Sequence, residues 1–161
     1  MENKTLDIKV GLVMQKPVHE VFEAIADPAK MSKYFISKGS GRMEEGKELI
    51  WKFPEMDMEF PIRVGKIEKD KYLSYNWNDF DGTETFVEIT LTPKENDSTF
   101  VTVTEKSRNN DDAGINWLKG NTEGWANFLA CLKAYLDYGI NLRKGAFDLS
   151  QMLQEKENGL Q

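Results

Sequence analysis

Little in this chain supports covalent or metal chemistry. Its 161 residues include one cysteine, Cys131, and one histidine, His19. A single cysteine cannot close an internal disulfide, which suits a reducing, cytoplasmic setting. One His with one Cys provides no zinc-binding set, so neither a metal nor a cofactor is expected. A nucleophile triad would need His19 beside a serine or cysteine, yet its helical position falls off the apolar stripe and toward solvent. Basic residues are also short, with 21 Lys and Arg against 27 Asp and Glu and a net charge of −6. Phosphate-backbone binding needs clustered cations, and Arg143–Lys144 is the nearest approach to a cluster, so no nucleic-acid partner is expected. No run nears the roughly 20 apolar residues that cross a bilayer. The N-terminal "MENKTLDIKVGLVM" alternates instead of presenting a signal peptide's apolar core, and no stable membrane insertion is expected.

What is present is enough for one core: 40% hydrophobic and 11% aromatic residues. Leu6, Ile8, Val10 and Leu12 alternate with polar residues, as in a half-buried strand. Pro17 suits a helix start, and Val18, Val21, Phe22 and Ile25 form a helical stripe. Asp27-Pro28 reads as a cap opening a second short helix that carries Met31, Tyr34 and Phe35. From about residue 36 the period becomes two. Leu49, Trp51 and Phe53 share one face; Met56, Met58, Phe60, Ile62 and Val64 share another, with Pro61 marking an edge or bulge. Leu73, Tyr75 and Trp77 follow, then the hairpin dipeptide Asp81-Gly82, then Val87, Ile89 and Leu91, and finally "FVTVTEK". After the polar "SRNNDDAG", the stretch "TEGWANFLACLKAYLDYG" places Trp125, Phe128, Leu129, Leu132 and Leu136 on one helical stripe.

Strands joined by short turns pair antiparallel. The apolar face they share needs a cover, and only the last helix is long enough to supply it. The expected class is α+β: a curved antiparallel sheet of about six to seven strands wrapped around a long C-terminal helix, with two short helices after the first strand. Residues 1–143 form the domain. Residues 144–161 form a polar tail, either disordered or docking a short helix capped by Asp148 with Leu149, Met152 and Leu153 as its stripe.

The segments "VFEAIADPAKMSKYF", "GKELIW", "GKIEKDKYLSYNW" and "GWANFLACLKAYLDYG" occur in that order. Together they resemble the homologues of the activator of heat-shock protein 90 ATPase, in the START-like, birch-pollen-allergen (SRPBCC) superfamily with the helix-grip fold. The resemblance spans roughly residues 5 to 140, and the Gly-Trp helix motif is its most specific part. It implies a sheet gripping the last helix, with a cavity between them in many relatives, and it supplies no shared catalytic set.

The functional question is whether the last helix lies on a filled core or roofs a pocket. The residues facing that space are Trp51, Phe53, Met58, Phe60, Tyr75, Trp77, Trp125, Phe128, Leu129 and Leu132. Trp117, in the connection ahead of the helix, stands either at the mouth of a cavity or as an anchor for its loop. Tyr75 is the inward polar candidate. Asp79 and Asp81 in "DFDG" lack the remaining ligands of a calcium loop and read as a turn. "GSGRMEEG" has the wrong glycine spacing for a dinucleotide site. Asp57, Glu59, Glu48 and Glu88 fall on the polar phase, which leaves no inward titratable group except tyrosine and no catalytic residue to name. The expected function is therefore a non-catalytic START-like domain that binds a hydrophobic small molecule or lipid between sheet and helix. The alternatives are a protein-interaction or co-chaperone-like domain with a filled core, and a small enzyme acting in the cavity.

Overall fold

A computed structural model describes residues 4–148. The chain runs β1 (Thr5–Met14), α1 (Val18–Ala26), α2 (Pro28–Met31), β2 (Lys38–Gly39), β3 (Glu48–Lys52), β4 (Glu59–Glu68), β5 (Tyr72–Asn78), β6 (Glu84–Lys94), β7 (Ser98–Asn109) and α3 (Asp112–Tyr138). The strands form one sheet in the order β1-β7-β6-β5-β4-β3-β2, with every neighbouring pair antiparallel. This is the expected α+β helix-grip arrangement. Its physical basis is the alternation read from the sequence: Leu73, Tyr75, Val87, Ile89, Leu91, Val101 and Val103 are all buried on the face that α3 covers.

Pro61 pairs with Ile50 of β3, while the β4–β5 ladder starts only at Arg63. The missing N–H of Pro61 therefore faces no partner strand. The irregularity in β4 comes later, between Val64 and Ile67.

Helix α3 is longer than the sequence stripe suggests. It starts at Asp112, so Trp117 stands on its second turn and not in a preceding loop. Asp111 caps it by accepting a hydrogen bond from Gly114 N at 2.8 Å. A Cβ on Gly114 would lie 1.9 Å from the Asn109 carbonyl oxygen. Only glycine allows α3 to leave β7 this abruptly, and that turn carries the helix back across the sheet. At 27 residues the helix is about 40 Å long. It ends at Gly139 in the left-handed conformation (φ 68°), where Gly139 N and Ile140 N donate to the Tyr135 and Ala134 carbonyls.

Behind the middle of α3 the interior is solid. Trp51, Tyr34, Tyr75 and Phe128 are each 1% exposed. Phe35 meets Trp51, Phe53 and Phe128 edge-on, at 5.8, 5.2 and 4.7 Å between ring centroids. The proposed stripe of a terminal helix, from Leu149 onward, lies outside the described residues.

Candidate functional site

Toward its N-terminal half, α3 diverges from the sheet and a cleft of about 510 Å³ opens between them. The β3–β4 connection contributes Phe53 and Met56, and the start of β4 contributes Phe60. The end of β5 and the following hairpin contribute Trp77 and Asn78 to Asp81. The end of β7 contributes Glu105 and Arg108. Helix α3 lines the other side from Ala113 to Asn127, and Arg143 and Phe147 close one end. The last helix therefore packs on a filled core behind its middle and borders a cleft along its first half.

The sequence-derived candidates divide accordingly. Phe53, Phe60, Trp77, Trp117 and Trp125 line the cleft. Trp51, Tyr75, Phe128, Leu129 and Leu132 are packed in the core behind it, at 0–2% exposure. Met58 departs furthest from expectation. It lies in the connection ahead of β4, where alternation has not yet begun, and is 47% exposed.

The polar groups of the cleft were not foreseen. Glu105 is a charged residue at 1% exposure, which corrects the expectation that no inward titratable group exists except tyrosine. Its Oε1 accepts from Trp125 Nε1 at 2.8 Å and from Asn121 Nδ2 at 3.2 Å. Its Oε2 accepts from Trp77 Nε1 at 3.0 Å and Thr85 Oγ1 at 2.5 Å. Four donors on two oxygens are the pattern of an ionised carboxylate, which only accepts. They occupy the lone pairs that proton abstraction would use, so Glu105 is a structural anchor of the cleft floor. Its position continues the inward phase of Val101 and Val103 in "FVTVTEK", and that phase is the signal that could have found it.

Arg108 needed more than alternation. Ile8 pairs with Glu105 and Leu6 with Arg108, so β7 advances by one residue more than β1 over this stretch. The extra residue is a bulge, and it turns Arg108 to the same side as Glu105. Arg108 NH1 donates to Asp79 Oδ2 at 3.0 Å and NH2 to Asp81 Oδ2 at 2.6 Å, while the guanidinium lies 6.0 Å from the Trp117 ring centroid. The "DFDG" hairpin is thus a turn, as expected, and also the counter-charge of a buried arginine. Burial alone would raise the Asp81 carboxyl, but hydrogen bonds from Thr83 and Arg108 outweigh it and hold the group below its ordinary range.

Arg143 closes the other end. Its Nε and NH2 donate to the two Glu55 oxygens at 2.9 and 3.0 Å. Phe35, Phe53 and Phe147 surround the guanidinium at 5.6, 5.5 and 4.8 Å. On the helix wall, Gly120 and Gly124 are one turn apart, and a Cβ on either would meet nothing within 4 Å. Two glycines inside a helix cost about 1 kcal/mol each relative to alanine. No packing constraint requires them here, and they keep that wall bare.

Tyr75 does not reach the cleft. Its hydroxyl is buried and has no hydrogen-bond partner among the described residues. Burial first, then the charge of Glu105, raises it well above the usual tyrosine range. Cys131, 2% exposed, is likewise pushed up by burial, an inert setting for a thiol. His19 is on the surface, 3.0 Å from Asp70. Among the described residues no cluster of His, Cys, Asp and Glu could hold a metal ion, and no helix is long and apolar enough to cross a membrane.

Comparison with known proteins agrees with this architecture. Residues 15–137 match the protein-family model described as Activator of Hsp90 ATPase homolog 1-like protein. Protein SSP2350 of Staphylococcus saprophyticus is 31% identical, with a TM-score of 0.75 over 85% of this chain and 96% of its own. DynU16, a protein of the dynemicin biosynthetic locus, is 27% identical, with a TM-score of 0.73 over 83% of this chain and 48% of its own. The Aha1 dimer from Colwellia psychrerythraea shares the fold at 20% identity, with a TM-score of 0.71 over 83% of this chain and 98% of its own. No curated protein sequence matches the chain. The chain belongs to the Activator of Hsp90 ATPase homolog 1-like family.

Proposed function

We propose that this member of the family is a non-catalytic, cytoplasmic START-like domain that holds a hydrophobic small molecule or lipid in the cleft between sheet and α3. The observation that carries the reading is the cleft itself. At about 510 Å³ it lies within the range of small-molecule sites, and its surface is mostly apolar, with eight aromatic side chains set among polar and charged ones. The bare helix face at Gly120 and Gly124 supports the same reading, because it leaves room where side chains would stabilise the helix.

Native mass spectrometry of freshly purified protein, compared with Gly124→Trp, tests it. A Cβ at position 124 meets no atom within 4 Å, and an indole carried by this lining residue is expected to occupy the cleft. The expected result is a co-purifying mass on the wild type that is lost from the variant. A ligand retained equally by both would exclude this cleft as its site.

A second reading, a protein-interaction domain, is favoured by one feature. Tyr138, the last residue of α3, and Ile140 and Leu142 just beyond it are 65%, 54% and 49% exposed. Three consecutive alternate apolar side chains facing solvent suit a partner's surface. Replacing all three with serine should then abolish association while leaving the cleft's ligand in place, and unchanged association would exclude that surface.

A further inference from the structure

The indoles that line the cleft are not treated alike. Trp77 and Trp125 donate to Glu105 at 3.0 and 2.8 Å. Trp117 also lines the cleft and is 4% exposed, but its Nε1 is buried with no hydrogen-bond partner among the described residues. A buried donor left unpaired is costly, and native proteins seldom keep one without a use for it.

The wall beside Trp117 has room for an acceptor. Gly120 and Gly124 follow at i+3 and i+7, on the same side of the helix as the indole. A Cβ on either would meet nothing within 4 Å. Bare helix therefore extends about 10 Å from Trp117, at 1.5 Å per residue.

On the reading of this cleft as a ligand site, on which the assignment rests, we propose that Trp117 is its specificity-determining donor. It takes the neutral carbonyl oxygen of a ketone or ester whose apolar body lies along Gly120 and Gly124. The χ2 torsion of tryptophan has two broad wells. Because the ring lines the cleft, a turn about that torsion brings the N–H to the occupant. A carbonyl oxygen accepts and brings no donor of its own, whereas a hydroxyl adds an O–H that needs a further acceptor. A carboxylate adds a charge, and both guanidinium groups of the cleft already hold carboxylates, Arg108 those of Asp79 and Asp81 and Arg143 that of Glu55. Trp117 thus selects for an acceptor where the aromatic lining alone selects for apolar area.

Nitrogen–proton correlation NMR of the full chain, titrated with acetonaphthone and with isopropenylnaphthalene, tests this. The two probes share a shape and differ in a carbonyl oxygen against a methylene. The ketone should bind about fivefold or more tighter than the hydrocarbon. The Trp117 indole proton should move to higher chemical shift with the ketone and not with the hydrocarbon. Trp117→Phe should abolish the ketone's advantage and keep the hydrocarbon's affinity, and the indole shift in the wild type reads the same contact without any variant. Gly124→Trp should lose both probes. Equal affinities, or a Trp117 indole proton indifferent to the ketone, would overturn the donor assignment while leaving the cleft as a ligand site. A ketone preference that survives Trp117→Phe or Gly124→Trp would place the acceptor's partner elsewhere and overturn it too. A spectrum that neither probe perturbs would overturn both the assignment and the cleft reading beneath it.

Discussion

Trp125 on α3 donates its indole N–H to Glu105 on β7 at 2.8 Å, and Trp77 on β5 donates to the other oxygen of the same carboxylate at 3.0 Å. One buried charge thereby fastens the helix to two strands at the point where the two layers begin to diverge. Apolar contact alone could not fix that point, because dispersion and burial are nearly indifferent to small sliding motions, whereas four directed hydrogen bonds are not. The cleft has a defined floor for that reason.

Replacing Glu105 with leucine should therefore destabilise the protein by about 3 kcal/mol or more, since it strands four donors at once, those of Thr85 and Trp125 buried and those of Trp77 and Asn121 half-buried. Urea denaturation followed by tryptophan fluorescence measures it. A loss under about 0.5 kcal/mol would mean that the carboxylate is not the anchor described here.

Tyr75 offers the opposite case. Its hydroxyl is buried without a partner among the described residues, so Tyr75→Phe removes a desolvated polar group and little packing. Stability near neutral pH should stay level or rise by up to about 1 kcal/mol. The folded-state pKa is raised above the ordinary value of 10.0. Its contribution is thus fully present below the unfolded-state value and is lost as pH rises toward the folded one. Wild type should lose stability above about pH 10 more steeply than Tyr75→Phe, as thermal melts across the alkaline range would show. Parallel curves would contradict the assignment.

The aromatic walls were readable because alternation on a strand depends only on the pleat. Phe53, Phe60 and Trp77 were placed inward by that rule, and the helical stripe placed Trp125. The rule fails where the strand has not begun, as at Met58, and where it gains a residue, as at Arg108. Glu105 keeps the phase of Val101 and Val103, but a carboxylate by itself points to solvent, and the four donors that hold it inside come from β5, β6 and α3. Trp117 stands on the helix and not ahead of it because the polar "SRNNDDAG" conceals a helix start set by the Asp111 cap and the clearance of Gly114. Arg143 joins the site through Glu55, 88 residues away in sequence, a contact no local pattern encodes.

The Arg143–Glu55 pair should act as a latch on the outer end of the cleft. Both side chains are largely withdrawn from water, at 13% and 10% exposure. Arg143→Ala leaves Glu55 unpaired and uncovers Phe35 and Phe53. The expected cost is about 2 kcal/mol, together with stronger acrylamide quenching of tryptophan fluorescence because Trp125 lies beyond Phe35. Unchanged quenching would show that the segment does not close the cleft.

Asp81 predicts behaviour in acid. Its folded pKa lies below the ordinary 3.8, so its stabilising contribution is present above the unfolded-state value and disappears as pH falls through the lowered one. Asp81→Asn should flatten that part of the acid limb of the stability curve, leaving a variant that is less stable at neutral pH but loses less between neutral pH and acid. An acid limb unchanged in shape would assign the pH dependence to other carboxylates.

The three glycines of α3 separate packing from purpose. Gly114→Ala forces a Cβ to within 1.9 Å of the Asn109 carbonyl oxygen, and backbone on both sides leaves nothing that can move aside cheaply. It should destabilise severely, by several kcal/mol, or prevent folding. Gly120→Ala and Gly124→Ala meet open space. Each should stabilise by about 0.5–1 kcal/mol, because alanine loses less backbone entropy in a helix. The same two changes add methyl groups to the wall of the cleft, so an occupant lying against α3 should bind more weakly to both. Stability rising as binding falls would identify the glycines as positions kept small for a ligand. Stability rising with binding unchanged would place the occupant against the sheet wall and away from α3.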